Sequence, residues 1–178
     1  MKHYSTWIAK AIKRYLRKNG VRAVTFDRNE GKIEFIVPSH SQIAYFHYVI
    51  QVKRKRYTIA IRFPAAPEPG NATAMANAAA FLSRVNTDLD FDANDSHLEG
   101  YFDLNCNSGM IQYLYFVQCP RLPAELIRCS LEWPVAVVDR VVPGLIDILY
   151  KGSSPEAAMA DYAQRVDQAS LIRLPSIT

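Results

Sequence analysis

Glycine, cysteine and histidine are scarce in this sequence, and their scarcity excludes several kinds of functional site. The 178 residues include only 7 glycines, none of which form the G-x-G pattern of a phosphate-binding loop. The 3 cysteines (Cys106, Cys119 and Cys129) lack the close spacing of a zinc site, and we expect buried free thiols in a reducing compartment. The 4 histidines are scattered without metal-ligand spacing. We therefore expect no catalytic residues, metal or cofactor, and a protein that is not an enzyme.

Long uninterrupted hydrophobic runs are also lacking, which argues against a membrane span and a secretion signal. The amino-terminal stretch MKHYSTWIAKAIKRYL carries basic residues throughout, and the most apolar later segment, residues 131–150, contains four charged side chains. With 49% hydrophobic and 21% charged residues, the composition is that of an ordinary globular protein. We expect one soluble cytoplasmic domain over residues 1–178, with a short tail at residues 171–178.

Positive charge is concentrated in the first part of the chain. Residues 1–62 contain 14 Lys or Arg against 3 Asp or Glu, whereas residues 63–178 contain 7 against 14. Such asymmetry can mark a basic face for a partner. It can equally let the two parts attract each other, within one domain or between two subunits. Both interpretations stay open.

Four consecutive cations, Lys53, Arg54, Lys55 and Arg56, separate two alternating strand patterns and are the candidate binding residues. Adjacent cations add into one local field, which suits a phosphate or an acidic partner. The alternative is a charged hairpin tip that opposes aggregation.

A basic amphipathic helix is predicted over residues 5–19, with Ser5 or Thr6 as its N-cap and Gly20 after its end. It either packs on its own domain or lies on an anionic membrane surface. Together with residues 53–56, it makes nucleic-acid binding an alternative function of this chain.

An acidic segment, residues 88–99, has the spacing of a calcium-binding loop of the EF-hand kind. Asp88, Asp90 and Asp92 alternate, and Glu99 occupies the twelfth position. However, the sixth position is Ala93, where the turn of such a loop requires glycine. Calcium or metal binding is therefore a further alternative function, and an accidental match is the other interpretation.

Hydrophobic periodicity predicts the order α-β-β-β-β-α-β-β-β-α-α and an α+β fold, with helices chiefly on one face of an antiparallel sheet. Residues 100–106 and 110–119 form a hairpin whose second strand lies near the middle of the sheet. The long helix over residues 124–150 is expected to kink or break at Pro134 and Pro143, and a last helix to start at Pro155. Six tyrosines alternate along the strands, where they either form the floor of a peptide groove or face the helices: Tyr45, Tyr48, Tyr57, Tyr101, Tyr113 and Tyr115.

Three stretches together resemble the YbjN-like domains of bacteria: DLNCNSGMIQYLYFVQC, then DRVVPGLIDILYKG with SPEAAM behind it, and FLSRVNTDLDFD upstream. The resemblance covers about residues 5–160, and the residues that carry it are Asn86, Asp103, Gly109, Asp139, Arg140 and Pro143. It implies a type III secretion chaperone-like fold with a twisted antiparallel sheet. It also implies that the chain is a sensory-transduction regulator or a peptide-binding chaperone without catalytic residues. We therefore expect a domain that binds a protein or peptide partner and forms a dimer.

Overall fold

A computed structural model describes residues 3–21, 24–38, 45–63, 71–92, 98–118 and 124–171. In these residues the order of elements is α1-β1-β2-β3-β4-α2-β5-β6-α3-α4. The helices are α1 (Thr6–Lys18), α2 (Ala72–Asp92), α3 (Ala124–Lys151) and α4 (Pro155–Leu171). The strands are β1 (Thr25–Asp27), β2 (Lys32–Pro38), β3 (Tyr45–Val52), β4 (Arg56–Arg62), β5 (Leu98–Leu104) and β6 (Ile111–Gln118).

The strands form one six-stranded sheet in the order β1-β2-β3-β4-β6-β5. Every neighbouring pair of strands is antiparallel. Helix α2 connects β4 to β5, and the last hairpin joins the sheet with β6 beside β4 and β5 at the edge. The second hairpin strand is therefore an interior strand, but it lies next to the edge and not near the middle of the sheet as predicted. Gly109 has the positive φ (68°) that the turn requires.

Burial alternates along the strands, so the sheet has one covered face. Phe35, Tyr48, Ile59 and Tyr115 are among the strand residues that join the core, together with apolar side chains of all four helices. Each fully buried side chain of this size contributes about 1.5–3 kcal/mol. The core lies between one sheet face and a helical layer, which confirms the predicted α+β fold.

Helix α1 has the caps that its sequence predicts. The Ser5 hydroxyl accepts a hydrogen bond from the backbone N–H of Ile8 (3.2 Å), and Gly20 has a φ of +74°. The apolar face of α1 lies in the core, with Ile8 and Ile12 at most 1% exposed. Helix α1 therefore packs on its own domain through its apolar face, while Trp7 on the same helix is exposed.

Helix α3 runs without a break through Pro134 and Pro143, so the prediction of a break was wrong. A proline in a helix interior costs about 3 kcal/mol, because it removes one amide donor and crowds the preceding turn. The buried face of α3, which includes Val138 and Val141, offsets this cost at about 1.5–3 kcal/mol for each large side chain. Tertiary packing therefore outweighs the local signal of both prolines.

Helix α2 is longer than its sequence predicts and ends at Asp92 instead of Asp88. The three predicted strands between α2 and α3 are therefore two, β5 and β6, among the described residues. Positions 88–92 of the candidate calcium-binding loop are thus helical. Residues 93–97 lie outside the described part of the chain, and calcium binding stays a prediction.

Asn86 on α2 holds the outer edge of the sheet. Its Oδ1 accepts a hydrogen bond from the backbone N–H of Phe102 (2.7 Å), and its Nδ2 donates one to the carbonyl oxygen of Phe102 (2.9 Å). Because β5 is an edge strand, peptide groups that face away from β6 have no strand to pair with. The Asn86 carboxamide supplies both a donor and an acceptor at this position, which attaches α2 to β5.

We expect Asn86→Ala to lower the free energy of unfolding by about 1–3 kcal/mol, since it removes two hydrogen bonds from a partly buried peptide group. Urea unfolding followed by circular dichroism measures this loss. Asn86→Asp keeps the acceptor for the Phe102 N–H but cannot donate to the Phe102 carbonyl, so it should also destabilise. Thr87→Ala, at the neighbouring exposed position, is the control and should change stability by about 0.5 kcal/mol or less. Equal stability of Asn86→Ala and Thr87→Ala would contradict this role.

Candidate binding surfaces

The fold brings the basic segments of the sequence together. The backbone N–H of Ser5, before α1, donates to the carbonyl oxygen of Lys53 at the β3–β4 tip (3.2 Å). The Tyr4 hydroxyl donates to the carbonyl oxygen of Arg28 in the β1–β2 turn (2.9 Å). We call the resulting cluster the basic surface. It consists of Lys10, Lys13, Arg14, Arg17, Lys18, Arg28, Lys53, Arg54, Lys55 and Arg56.

The cations of the basic surface form no ion pairs with other described residues. Six ion pairs occur in the described part of the chain, and five of them lie within residues 63–178. The sixth joins Lys32 to Glu34, so no pair connects the basic part of the sequence with the acidic part. Lys13 lies over the Phe26 ring, 4.7 Å from its centroid, and the other cations of the surface are exposed. The positive charge therefore faces solvent and is available to a partner.

The second surface, which we call the open face, is the sheet face opposite the helices. The strand register places Val49, Ala60, Leu114 and Tyr101 in one row across β3, β4, β6 and β5. The Tyr101 ring stacks on Phe116 with centroids 5.9 Å apart. None of these side chains joins the core cluster formed by the described residues. Val49 and Ala60 are nevertheless buried, so the accessible apolar strip of the open face consists of exposed Tyr101 with half-buried Phe116 and Leu114.

The six alternating tyrosines do not share one groove. The rings of Tyr48, Tyr57, Tyr113 and Tyr115 lie under the helices and are buried, as expected if they face the helical layer. Only Tyr45 and Tyr101 lie on the open face, where they are 43% and 42% exposed.

A depression of about 370 Å³ lies at one end of the open face. Its lining combines apolar and basic side chains: Ile36, Tyr45, His47, Arg62, Phe63 and Met110. His47 and Arg62 are direct cross-strand neighbours on β3 and β4. The Arg62 Nε is buried and makes no hydrogen bond within the described structure. No pattern in the sequence predicts this arrangement, because the residues come from separate strands.

The charges beside this depression perturb one carboxyl group. Lys32 Nζ lies 2.7 Å from Glu34 Oε1, and this contact is the main reason why the pKa of Glu34 lies below its ordinary value. The positive charges of His47 and Arg62 lower the pKa of Glu34 further, while its partial burial acts in the opposite direction. The end of the open face therefore has a positive local field.

A second concavity, of about 310 Å³, lies between α1, α3 and the sheet. Its walls are almost entirely apolar and include Leu16, Phe35 and Leu131. At its rim the Tyr15 hydroxyl donates to Glu132 Oε1 (3.0 Å), and burial together with this carboxylate raises the pKa of Tyr15. The cavity offers hydrophobic contact without a cluster of reactive groups.

Reactive side chains are dispersed in the described part of the chain. No group of three His, Cys, Asp or Glu residues there could hold a metal ion. Cys106 is exposed, so the expectation of a buried thiol was wrong at this position, and Cys129 is half-buried. Burial and a hydrogen bond with Glu125 raise the pKa of Cys129, which disfavours the nucleophilic thiolate. Cys119 and His40 lie outside the described residues.

The described helices include none that is both long and apolar enough to cross a membrane.

Comparison with known proteins gives a match in structure but not in sequence. No family model matches the chain, and no curated protein matches it. The structure is similar to a chain in the crystal structure of the ExsC–ExsE complex, with a TM-score of 0.50 and 12% sequence identity. The similarity covers 79% of this chain and 96% of that chain. It supports the chaperone-like fold expected from the sequence, whereas membership of the YbjN-like family stays a prediction.

We expect Lys32→Gln to raise the pKa of Glu34 toward its ordinary value, because it removes the main stabilising contact of the carboxylate. Arg62→Gln should raise it by a smaller amount, and Arg56→Gln, at the far end of the open face, should leave it unchanged. NMR titration of the Glu34 carboxyl carbon measures all three. A carboxyl group whose pKa is lower in the folded state stabilises the fold at pH values above its unfolded-state pKa. The stabilisation by Glu34 is therefore lost as the pH falls through its folded-state pKa. A Glu34 pKa insensitive to Lys32→Gln would contradict the assignment.

Proposed function

We propose that this chain is a non-catalytic domain that binds a polypeptide partner, as a chaperone or as a regulator. The observation that carries the proposal is the open face, where exposed Tyr101 and half-buried Phe116 and Leu114 form an apolar strip on a rigid antiparallel sheet. Isolated apolar side chains are common on protein surfaces, but a contiguous strip is typical of interaction sites.

Two further observations support a polypeptide as the partner. The ExsC–ExsE structure, whose fold this chain shares, is itself a complex. The resemblance to YbjN-like domains independently implies a regulator or a peptide-binding chaperone. The proposal places the protein in the bacterial cytoplasm, since its described cysteines are free thiols. It also includes a dimer, which light scattering at low and high salt would detect.

Tyr101 and Phe116 are the proposed anchors of the bound polypeptide. Their stacked rings occupy neighbouring strands next to Leu114, so an apolar segment laid on the sheet contacts all three. Aromatic side chains dominate the binding energy of many interfaces, because they bury a large area with few rotatable bonds.

We expect selection from a displayed random-peptide library to enrich peptides that bind the purified protein. Tyr101→Ser and Phe116→Ser should each weaken the selected peptides by about 30-fold, the effect of losing a strong aromatic anchor. Isothermal titration calorimetry measures the affinities.

Tyr150→Ser is the matched control, because Tyr150 is a 67% exposed aromatic residue on α3, away from the open face. It should bind the selected peptides as the wild type does. Equal weakening by Tyr150→Ser, or failure to enrich any peptide, would contradict the proposal.

A second candidate function is nucleic-acid binding through the basic surface. The specific observation in its favour is that the clustered cations of α1 and of the β3–β4 tip form no ion pairs with other described residues. The exposed Trp7 on α1 adds an aromatic ring of the kind on which unpaired bases stack.

If the basic surface binds nucleic acid, affinity for a labelled oligonucleotide should fall steeply with salt. The logarithmic slope is about −0.7 for each single-strand phosphate contact and about −0.9 for each duplex contact. Replacing Lys53, Arg54, Lys55 and Arg56 together by Gln should reduce the slope, while Arg84→Gln, which removes an ion-paired cation, should not. Fluorescence anisotropy measures both. Absent or salt-independent binding would remove this candidate.

A further inference from the structure

The depression at the end of the open face has the chemistry of a carboxylate site. We infer that Arg62, with His47 beside it, binds the side-chain carboxylate of an Asp or Glu residue in an extended polypeptide that crosses the open face. The inference rests on the proposed function and specifies the chemistry of the partner.

The first argument concerns the guanidinium of Arg62, whose Nε is buried and has no hydrogen-bond partner in the described structure. A buried donor without an acceptor is unfavourable, and an incoming acceptor removes that penalty. The planar arginine fork matches a carboxylate in a two-point hydrogen bond.

The second argument is that two neighbouring carboxylates of the open face already have other partners. Glu34 pairs with Lys32 at 2.7 Å, and Asp103 accepts a hydrogen bond from Gln112 Nε2 at 3.0 Å. Gln112 is the cross-strand neighbour of Arg62 on β6. Neither carboxylate forms a hydrogen bond or an ion pair with Arg62. Among the described residues Arg62 therefore has no carboxylate partner, and the bound polypeptide supplies one.

The third argument is the shape and lining of the depression. Its volume of about 370 Å³ is larger than one carboxylate requires, and Ile36, Tyr45 and Met110 form apolar walls. The Ile36 side chain is 55% exposed to solvent. An acidic side chain attached to a polypeptide fills such a site better than a free anion, because its methylene groups and backbone contact the walls.

The strand register connects the depression to the apolar strip. Arg62 pairs with Gln112, and Leu114 lies two residues further along β6 on the same face. The spacing between strands and the rise of two residues place the two positions about 8 Å apart. Side chains at positions i and i+2 of an extended peptide are about 7 Å apart on one side. The preferred partner sequence is therefore an acidic residue two positions from an apolar residue.

The test uses peptides enriched by the full-length protein and, for each, a twin in which the acidic residue is replaced by its amide, Glu by Gln. We expect the wild type to bind the acidic peptide about tenfold more tightly than its twin, as a charge-assisted pair predicts. Arg62→Gln should abolish this difference, and Arg62→Lys should retain part of it. Arg84→Gln should preserve it. Arg84 is the control because it is an exposed cation on α2 that is paired with Glu156 and belongs to neither the open face nor the basic surface.

Thermal unfolding establishes that each variant is folded before calorimetry. The inference would be overturned if Arg62→Gln showed the same difference in affinity between the Glu peptide and its Gln twin as the wild type shows. It would also be overturned if the enriched peptides showed no preference for an acidic residue. Displacement of the acidic peptide by sodium acetate at constant ionic strength would assign the site to small carboxylates and also overturn it. These outcomes leave the proposed function intact. Failure to enrich any peptide would instead contradict the proposed function.

Discussion

Burial of one face of the sheet is the constraint on which the rest of this structure depends. Side chains alternate between the faces of a strand, so a single helical layer can cover only every second residue. The helices supply the apolar partners of Phe35, Tyr48, Ile59 and Tyr115, and most of the hydrophobic core follows from that contact. The other set of side chains is placed by the same backbone but is not enclosed. A rigid surface of defined register is therefore a by-product of building the core.

Charge is distributed differently on the two parts of the chain. In the carboxy-terminal part, cations are held by carboxylates on the helices, as where Arg128 bonds both Glu125 and Glu132. In the amino-terminal part, the fold gathers cations from α1 and the β3–β4 tip without such partners among the described residues. Exposed ion pairs contribute little stability, so the paired cations chiefly neutralise their own surface. The unpaired cations leave a field that reaches about 8–10 Å into physiological salt.

Local signals predicted the elements whose causes are local. Ser5 and Gly20 bound α1, and Ser154 and Pro155 begin α4, because caps and turns depend on a few adjacent residues. The sequence failed where distant contacts decide. Pro134 indicates a break that the packing of α3 overrides. The Arg62 depression was not predictable either, since it depends on the register of separate strands. The resemblance singled out Asn86 but did not indicate its two hydrogen bonds to Phe102.

The two edges of the sheet limit how a partner can be recognised. At one edge β1 has only three residues, and at the other the Asn86 carboxamide occupies the peptide group of Phe102. Adding a strand from another chain needs a row of free backbone groups, and such pairing is largely indifferent to the added sequence. Neither edge offers a long row of this kind. A polypeptide that binds the open face as proposed would instead be recognised through its side chains, which would make the interaction selective for amino-acid sequence.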